Sequence, residues 1–216
     1  MRVSVRHATK VIKGTTVLND VSLDIPSGRV TGLRGINGSG KTMLMRVVCG
    51  LVKLNSGSVE VDGNVLGRDI DAPPSVGLLI EHPGFLDGFT GFDNLWLLAR
   101  LTGRAARRDV MSAIETVGLD PQLKKPYRTY SLGMKQRLGI AAAIMERPDL
   151  IVLDEPTNAL DEQGVAMVRN VVAAERDRGA AVLIASHDAD ALSYLADTIY
   201  VMHRGVLKRE VANESS

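Results

Sequence analysis

The chain has 216 residues, of which 45% are hydrophobic and 24% are charged, and its formal net charge is +1 at pH 7. This is the composition of an ordinary globular protein that is long enough to bury a sizeable core. A net charge so near zero argues against a general binder of nucleic acid or of a charged membrane surface, so we expect no nucleic-acid partner.

The sequence gives no sign of a membrane span or a secretion signal. Its apolar runs fall short of the roughly 20 residues that cross a bilayer, and the charged start from Met1 to Arg6 is typical of a strand. The protein is therefore expected in the cytoplasm, and any membrane span that it works with must belong to another chain. The single cysteine, Cys49, has apolar neighbours, which favours a buried thiol over a reactive one.

The first third of the chain predicts strands and one helix. Residues 1 to 31 alternate with a period of two, which is typical of half-buried strands. Val30 to Leu33 predicts a short strand that runs into a glycine-rich loop, and the apolar spacing from Gly40 to Gly50 predicts a helix. Val76 to Ile80 predicts a short buried strand.

The middle of the chain becomes helical, and the last third alternates strands with helices. The apolar periodicity from Phe92 to Val117 is helical. It places Leu95, Leu98 and Leu101 on one face. Ser131 to Glu146 predicts another helix. The later segments are Leu150 to Asp154, Glu162 to Arg178, Ala181 to Ser186, Asp188 to Ala196 and Ile199 to His203. Such alternation implies a parallel sheet with crossovers, and hence an α/β fold.

The glycine-rich segment from Gly35 to Thr42 matches the phosphate-binding P-loop pattern in full. Its glycines let backbone N–H groups turn toward phosphate oxygens, and the helix that it opens adds a positive dipole end. Lys41 can reach the β- and γ-phosphates of ATP, and the Thr42 hydroxyl can ligate magnesium. A chance glycine-rich turn is the alternative, which the flanking strand and helix disfavour. The predicted nucleotide-binding residues are Gly35, Asn37, Gly38, Ser39, Gly40, Lys41 and Thr42.

An apolar strand that ends in two carboxylates, Asp154 and Glu155, gives a second signal. Ligands of open parallel sheets bind at the carboxyl ends of strands, so we expect Asp154 beside the P-loop, holding magnesium. Glu155 would face the γ-phosphate as the general base or as the group that orients water. Alone, such a pair is as often a solvated turn; beside a complete P-loop, it predicts ATP hydrolysis.

Three further segments separate this chain from other P-loop proteins. Tyr130 to Arg137 stands before the acidic strand, Asn158 to Asp161 follows it, and Ala185 to Asp188 ends the next apolar strand. Their order and spacing resemble the nucleotide-binding domain of an ABC transporter, across nearly the whole chain. The resemblance implies a P-loop core with a mostly parallel sheet, an N-terminal antiparallel β subdomain and an inserted α-helical subdomain.

The resemblance also implies a single domain whose ATP sites lie between two subunits. The core lobe would be about residues 1–84 and 147–216, and the helical lobe about 85–146. Ser131 and Gly133 would cap the γ-phosphate held by the P-loop of a second ATPase subunit, in a head-to-tail dimer.

Two more residues take roles from the resemblance. Asp161 would touch the P-loop of the other subunit. His187 would contact the γ-phosphate and would be catalytic together with Glu155. A capping or core histidine is the alternative interpretation of His187.

The sequence departs from the family pattern in three places. Leu132 and Met134 are bulkier than the usual signature residues, so the closed interface must accommodate them. Glu81 replaces a glutamine. It would be a further magnesium ligand, because a carboxylate binds this cation better than an amide does, and its charge is expected to raise the pKa of a neighbouring carboxylate. The aromatic residue that usually stacks on adenine is replaced by Val11 or Ile12, which predicts looser recognition of the base.

The segments around Glu81 and Ser131 look like those of ATPase subunits from bacterial exporters of the bacitracin- and lantibiotic-resistance type. That likeness implies a subunit that hydrolyses ATP to power export of a peptide antibiotic or drug. Its partner would be a separate integral membrane permease, which would keep it at the inner face of the cell membrane. The alternative is a non-transport ABC ATPase, in iron–sulfur assembly or as a regulatory scaffold.

The permease would dock on the segment that follows Glu81. This segment contains all three phenylalanines of the chain and its one tryptophan. About half of its large apolar residues are expected in the core and half on the docking surface. They are Phe85, Leu86, Phe89, Phe92, Leu95 and Trp96.

Overall fold

The computed structural model describes residues 1–81 and 83–210. Its elements are, in chain order, β1 (Val3–Ile12), β2 (Thr15–Ile25), β3 (Arg29–Arg34), α1 (Lys41–Val48), β4 (Ser56–Val61), β5 (Asn64–Val65), β6 (Val76–Leu79), α2 (Gly91–Thr102), α3 (Arg107–Thr116), a 3-10 helix (Tyr127–Thr129), α4 (Leu132–Ile144), β7 (Leu150–Asp154), α5 (Glu162–Asp177), β8 (Ala181–Ser186), α6 (Ala189–Leu195), β9 (Thr198–His203) and β10 (Val206–Arg209). All elements predicted for the last third are present, and up to residue 210 the short strand β10 is the one addition.

The strands form two sheets. One is antiparallel, in the order β2-β1-β4-β5. The other has the order β10-β9-β3-β8-β7-β6, and every neighbouring pair in it is parallel except β10 and β9. The predicted α/β fold, with a mostly parallel sheet and an N-terminal antiparallel sheet, is confirmed. Because β3, β7 and β8 run in the same direction, the loops after them meet at one edge.

Both faces of the parallel sheet are buried. In β7, Leu150 and Val152 pack with the antiparallel sheet and α1, whereas Ile151 and Leu153 pack with helices α2 to α5. A strand buried on both faces is apolar at successive positions, which is why it is visible as a continuous run in the sequence. Cys49, just after α1, is buried as predicted, in the cluster formed with Leu150, Val152 and the antiparallel sheet.

The helical stretch predicted from Phe92 to Val117 consists of two helices. α2 ends at Gly103, whose φ of 68° is a left-handed conformation that glycine adopts without strain. The prediction that Leu95, Leu98 and Leu101 share one face is wrong, since Leu95 is buried and Leu101 is 76% exposed. Six residues of an α-helix turn through about 600°, so Leu101 points about 120° away from Leu95.

Within the part of the chain that the structure describes, no helix combines the length and apolar character needed to cross a bilayer.

Candidate functional site

The loop between β3 and α1 borders a cavity of about 280 Å³ at the carboxyl edge of the parallel sheet. Val17, residues 36–43, Asp154 and Glu155 line it. Gly40 has a φ of 115°, and a Cβ there would lie 2.8 Å from the carbonyl oxygen of Val17, so glycine is required at this point of the loop. The structure therefore brings the predicted P-loop and both predicted carboxylates together.

Lys41 is the buried cation of this cavity. Its side chain is 5% exposed, and its Nζ donates to the carbonyl oxygens of Gly35, at 2.5 Å, and Ile36, at 3.4 Å. The same Nζ lies 3.6 Å from Glu155 Oε1. A buried ammonium requires such acceptors, and a phosphate group would offer it stronger, charged ones.

Thr42 and Asp154 form the point where a divalent cation fits. Thr42 Oγ1 donates to Asp154 Oδ2 at 2.6 Å. Burial, above all, raises the pKa of Asp154, and the charges of Glu155 and Glu81 raise it further, while the Thr42 hydrogen bond and Lys41 oppose the shift. The expectation that neighbouring carboxylates would raise a pKa here is met, although burial is the larger cause.

The donor set at this point suits magnesium rather than a metal held by the protein alone. A hydroxyl and a carboxylate are the hard oxygen ligands that magnesium prefers. Among residues 1–81 and 83–210, no group of three or more histidines, cysteines or acids is arranged to hold a metal. Magnesium commonly binds through one or two side chains, with waters and substrate phosphates completing its shell.

Three side chains hydrogen-bond to Glu155 at the start of the loop after β7. Its Oε2 lies 3.1 Å from Ser186 Oγ and 2.9 Å from His187 Nδ1. Its main-chain carbonyl accepts from Gln136 Nε2 at 3.0 Å. Its φ of 49° is left-handed, a conformation that costs free energy in a non-glycine residue and persists where surrounding contacts impose it. These contacts of Ser186 and Gln136 with Glu155 were not predicted, although both residues lie in the segments that carry the family resemblance.

His187 follows β8 directly, and its Nδ1 lies 2.9 Å from Glu155 Oε2. Its side chain is 53% exposed, which excludes the interpretation as a core histidine. The capping interpretation also fails, because Asp188 is the residue that caps α6, accepting from the backbone N–H groups of Asp190 and Ala191.

Ser131 and Gly133 stand at the start of α4. Ser131 caps this helix, since its Oγ accepts from the N–H of Met134 at 3.2 Å. A Cβ on Gly133 would lie 3.0 Å from the carbonyl oxygen of Ala159, so the chain passes close to the Asn158–Asp161 segment here. Neither residue is among those that line the P-loop cavity of the same chain.

Glu81 is paired with a residue that the sequence analysis did not consider. Its Oε1 accepts from Arg46 of α1 at 2.8 Å, and its side chain is 63% exposed. Its charge acts on the pKa of Asp154. The contact ties the segment after β6 to the helix that the P-loop opens.

The two residues expected near the adenine base lie at the end of β1. Val11 and Ile12 are both exposed there. Val17, at the start of β2, lines the P-loop cavity itself and was not predicted. Sequence spacing from the P-loop points to the end of β1 but does not reveal which residue of the next strand folds back over the loop.

Comparison with known proteins identifies the family. The model of the "ABC transporter" family matches residues 18–158. An uncharacterized ABC transporter ATP-binding protein of Bacillus subtilis is 43% identical, with 95% of this chain and 94% of that protein covered. The bacitracin transport ATP-binding protein BcrA of Enterococcus faecalis is 41% identical over 97% of this chain and 68% of its own. The lantibiotic transport ATP-binding protein SrtF of Streptococcus pyogenes is 35% identical, with 90% of this chain and 85% of that protein covered.

Solved structures share the fold. The dimeric structure of MJ0796, a bacterial ABC transporter cassette, has a TM-score of 0.85 at 21% identity and covers 96% of this chain and 98% of its own. An ATP-binding subunit of an ABC transporter has a TM-score of 0.86 at 22% identity, with 97% of this chain and 90% of that chain covered. This chain therefore belongs to the ABC transporter family, as an ATP-binding subunit that hydrolyses ATP.

Proposed function

We propose that this chain powers the export of a peptide antibiotic. The ATPase activity is supported by the contact of Thr42 with Asp154 beside Lys41 and Glu155. In one cavity, these residues would provide a phosphate site and a carboxylate base. The transported class is supported by the relatives named for bacitracin and lantibiotic transport. These relatives lend no support to the non-transport alternative.

The test is reconstitution with a candidate integral membrane permease, such as one that a neighbouring gene is found to encode. We expect ATP-dependent efflux of a labelled peptide antibiotic, such as bacitracin, from cells or vesicles that hold both proteins. Export of no peptide, together with normal ATPase activity, would refute the substrate class and leave the ATPase assignment intact.

Within the site, we assign the binding of phosphates to the loop from Gly35 to Thr42, and in particular to Lys41. Thr42 and Asp154 would hold magnesium, which, when bound, neutralises charge on the phosphates. Glu81 is the further proposed ligand, and its Oε1 is paired with Arg46 in the structure. Because both partners are substantially exposed, this pair is worth about 1 kcal/mol at most, so its loss is a small obstacle.

Glu155 is the proposed general base, and His187 the proposed contact to the γ-phosphate. A carboxylate within reach of both Lys41 and His187 can accept a proton from a water aligned with the γ-phosphate. Glu155→Gln is expected to lower kcat about 100-fold or more while leaving ATP binding intact. Turnover near that of the parent would exclude the general-base role.

A second copy or a close relative is proposed to complete the site. Ser131 and Gly133 lie outside the P-loop cavity of their own chain, and the exposed Asp161 lies beside them at the start of α5. In a head-to-tail dimer they would face the nucleotide of the other subunit. The specific ATPase rate should rise steeply with protein concentration, and Ser131→Ala should lower kcat without lowering ATP binding to the monomer. A rate per subunit that is constant over a hundredfold dilution would contradict this.

The permease is proposed to dock on Leu86 and Phe89. Both side chains are exposed, whereas Leu95 is buried and Phe85 packs edge-on against Tyr127 with ring centroids 5.2 Å apart. Phe92 and Trp96 are partly buried against the same core. Exposed apolar side chains on a well-held loop are typical of an interface.

The loop that carries Leu86 and Phe89 is held by hydrogen bonds from Asn94 and Tyr127. Buried Asn94 binds both the N–H and the carbonyl of Leu86, and the carbonyl of Phe89 accepts from the N–H of Tyr127 at 2.8 Å. We expect Leu86→Ser with Phe89→Ser to abolish coupling to the permease and to spare the ATPase activity of the isolated chain. Leu101→Ser, at another exposed leucine, is the matched control. Loss of isolated ATPase activity would show a structural role instead.

This docking site would lie on the helical lobe, for which we keep the proposed bounds of about 85–146, with the core lobe at about 1–84 and 147–216. The permease would hold the chain at the inner face of the cell membrane. Separation of the two proteins by fractionation, with the ATPase recovered from the membrane pellet only when the permease is present, tests this placement.

A further inference from the structure

One polar side chain is buried at the end of an otherwise apolar strand. Ser186 is the last residue of β8 and is 2% exposed, while the five residues before it, Ala181 to Ala185, are buried apolar residues. Its Oγ lies 3.1 Å from Glu155 Oε2 and 3.1 Å from the backbone nitrogen of Asp188. A buried hydroxyl in such surroundings has to be hydrogen-bonded, and both of its partners are fixed.

The chemistry of the two partners determines where the hydroxyl proton points. The backbone N–H of Asp188 can only donate, so it uses a lone pair of Ser186 Oγ. An ionised carboxylate can only accept, so the single hydroxyl proton is donated to Glu155 Oε2. Turning the hydroxyl away would remove the hydrogen bond that Ser186 donates to Glu155 Oε2.

This donation makes the two oxygens of Glu155 inequivalent. Oε2 accepts from Ser186 and lies 2.9 Å from His187 Nδ1. Oε1 is buried without a hydrogen-bond partner, and it is the oxygen 3.6 Å from Lys41 Nζ. Of the two contacts to Oε2, the one from Ser186 is buried, while the His187 side chain is about half exposed.

We propose that Ser186 is a positioning residue for Glu155, which holds Oε2 so that Oε1 receives the proton of the attacking water. This inference rests on the proposed role of Glu155 as general base. As the water oxygen forms its bond to the γ-phosphorus, the bond to the ADP oxygen breaks and one water proton moves to Oε1, leaving ADP and phosphate. Ser186 itself touches neither water nor phosphate.

The experiment compares Ser186→Ala, Ser186→Cys and Ser186→Thr in the full chain, with Ser193→Ala as control. Ser193 is an exposed serine on α6 whose hydroxyl donates only to the carbonyl of Asp190. Hydrogen bonds to charged groups are stronger than neutral ones, so Ser186→Ala is expected to lower kcat about tenfold to a hundredfold, with KM for ATP changed less than about threefold. Cysteine keeps the volume but donates weakly, and should behave like alanine. Threonine keeps the donor and should recover most of the rate.

Two outcomes would overturn the inference. The first is a kcat within about twofold of the parent in Ser186→Ala while Glu155→Gln is inactive. The second is that Ser186→Ala lowers the residual rate of Glu155→Gln by the same factor as in the parent, since a residue that acts through Glu155 must not act additively with its loss. If Glu155→Gln itself hydrolyses ATP at the parent rate, the proposed role of Glu155 as general base is wrong. That result differs from both outcomes that would overturn the inference about Ser186. Thermal unfolding of each variant separates loss of positioning from loss of fold.

Discussion

Asn94 should determine whether the loop of Leu86 and Phe89 is held in place. The side chain is 3% exposed. Its Oδ1 accepts from the N–H of Leu86 at 2.7 Å, and its Nδ2 donates to the carbonyl oxygens of Leu86, at 3.1 Å, and Thr90, at 3.0 Å. Asn94→Ala removes all three hydrogen bonds.

The loss of stability in Asn94→Ala follows from the hydrogen bonds that remain in this loop. The carbonyl of Leu86 keeps the N–H of Phe89 at 3.2 Å, and the carbonyl of Thr90 keeps the N–H of residue 94 at 3.1 Å. Only the N–H of Leu86 loses the partner that the structure gives it. At about 1 kcal/mol for each lost hydrogen bond, the free energy of unfolding should fall by about 2–3 kcal/mol. Urea denaturation at unchanged m-value measures this.

Asn94→Asp is the variant that tests the reasoning. Aspartate retains an acceptor for the N–H of Leu86 but places its second oxygen against the carbonyls of Leu86 and Thr90. We expect it to be at least as destabilising as alanine at pH 7, and both variants to lose stimulation of ATPase activity by the permease. If the free energy of unfolding of Asn94→Asp is within about 0.5 kcal/mol of that of the parent, the two hydrogen bonds that Asn94 donates do not hold this loop.

Three further predictions concern other parts of the molecule. Gly77→Ala should lower the free energy of unfolding by about 3 kcal/mol or more, because the added Cβ would lie 1.7 Å from the carbonyl oxygen of Ala143 in α4; a urea midpoint equal to that of the parent would contradict the close packing of β6 on α4. Burial raises the pKa of Cys49 to about 12 from 9.0, so at pH 8 its thiolate fraction falls about a thousandfold, and labelling by a thiol reagent should be at least that much slower in the native protein than in urea; fast native labelling would refute burial. Ile12→Tyr, which supplies a ring at the end of β1, should lower KM for ATP about twofold to tenfold, and an unchanged KM for both ATP and GTP would place the base elsewhere.

The parts predicted from sequence are those that depend on local pattern. The P-loop and the strand ending at Asp154 each have a signature within a few residues, and parallel strand ends meet at one edge of a sheet. Their convergence on one cavity therefore needed no knowledge of packing. β7 and β8 were visible for the same reason, since strands buried on both faces are continuously apolar.

The parts that were missed depend on contacts between distant segments. The pairing of Glu81 with Arg46, thirty-five positions earlier, was not predicted. Ser186 is an ordinary strand end in the sequence, and the role proposed for it depends on its contact with Glu155 Oε2. Leu101 fits a helical pattern, but only the packing of α2 shows which face is covered.

The contact between Gln136 and the carbonyl of Glu155 has a consequence for how two active sites behave together. Gln136 is on α4, the same rigid helix whose first turn carries Ser131 as its cap. In the proposed dimer, the first turn of α4 would contact the nucleotide of the other subunit, while Gln136 on its side contacts the loop after β7 of its own chain. A shift of α4 caused by one ATP would then alter the backbone that aims the carboxylate at the second. By thermodynamic reciprocity, each site would influence the other to the same degree, so two nucleotides would act as a pair.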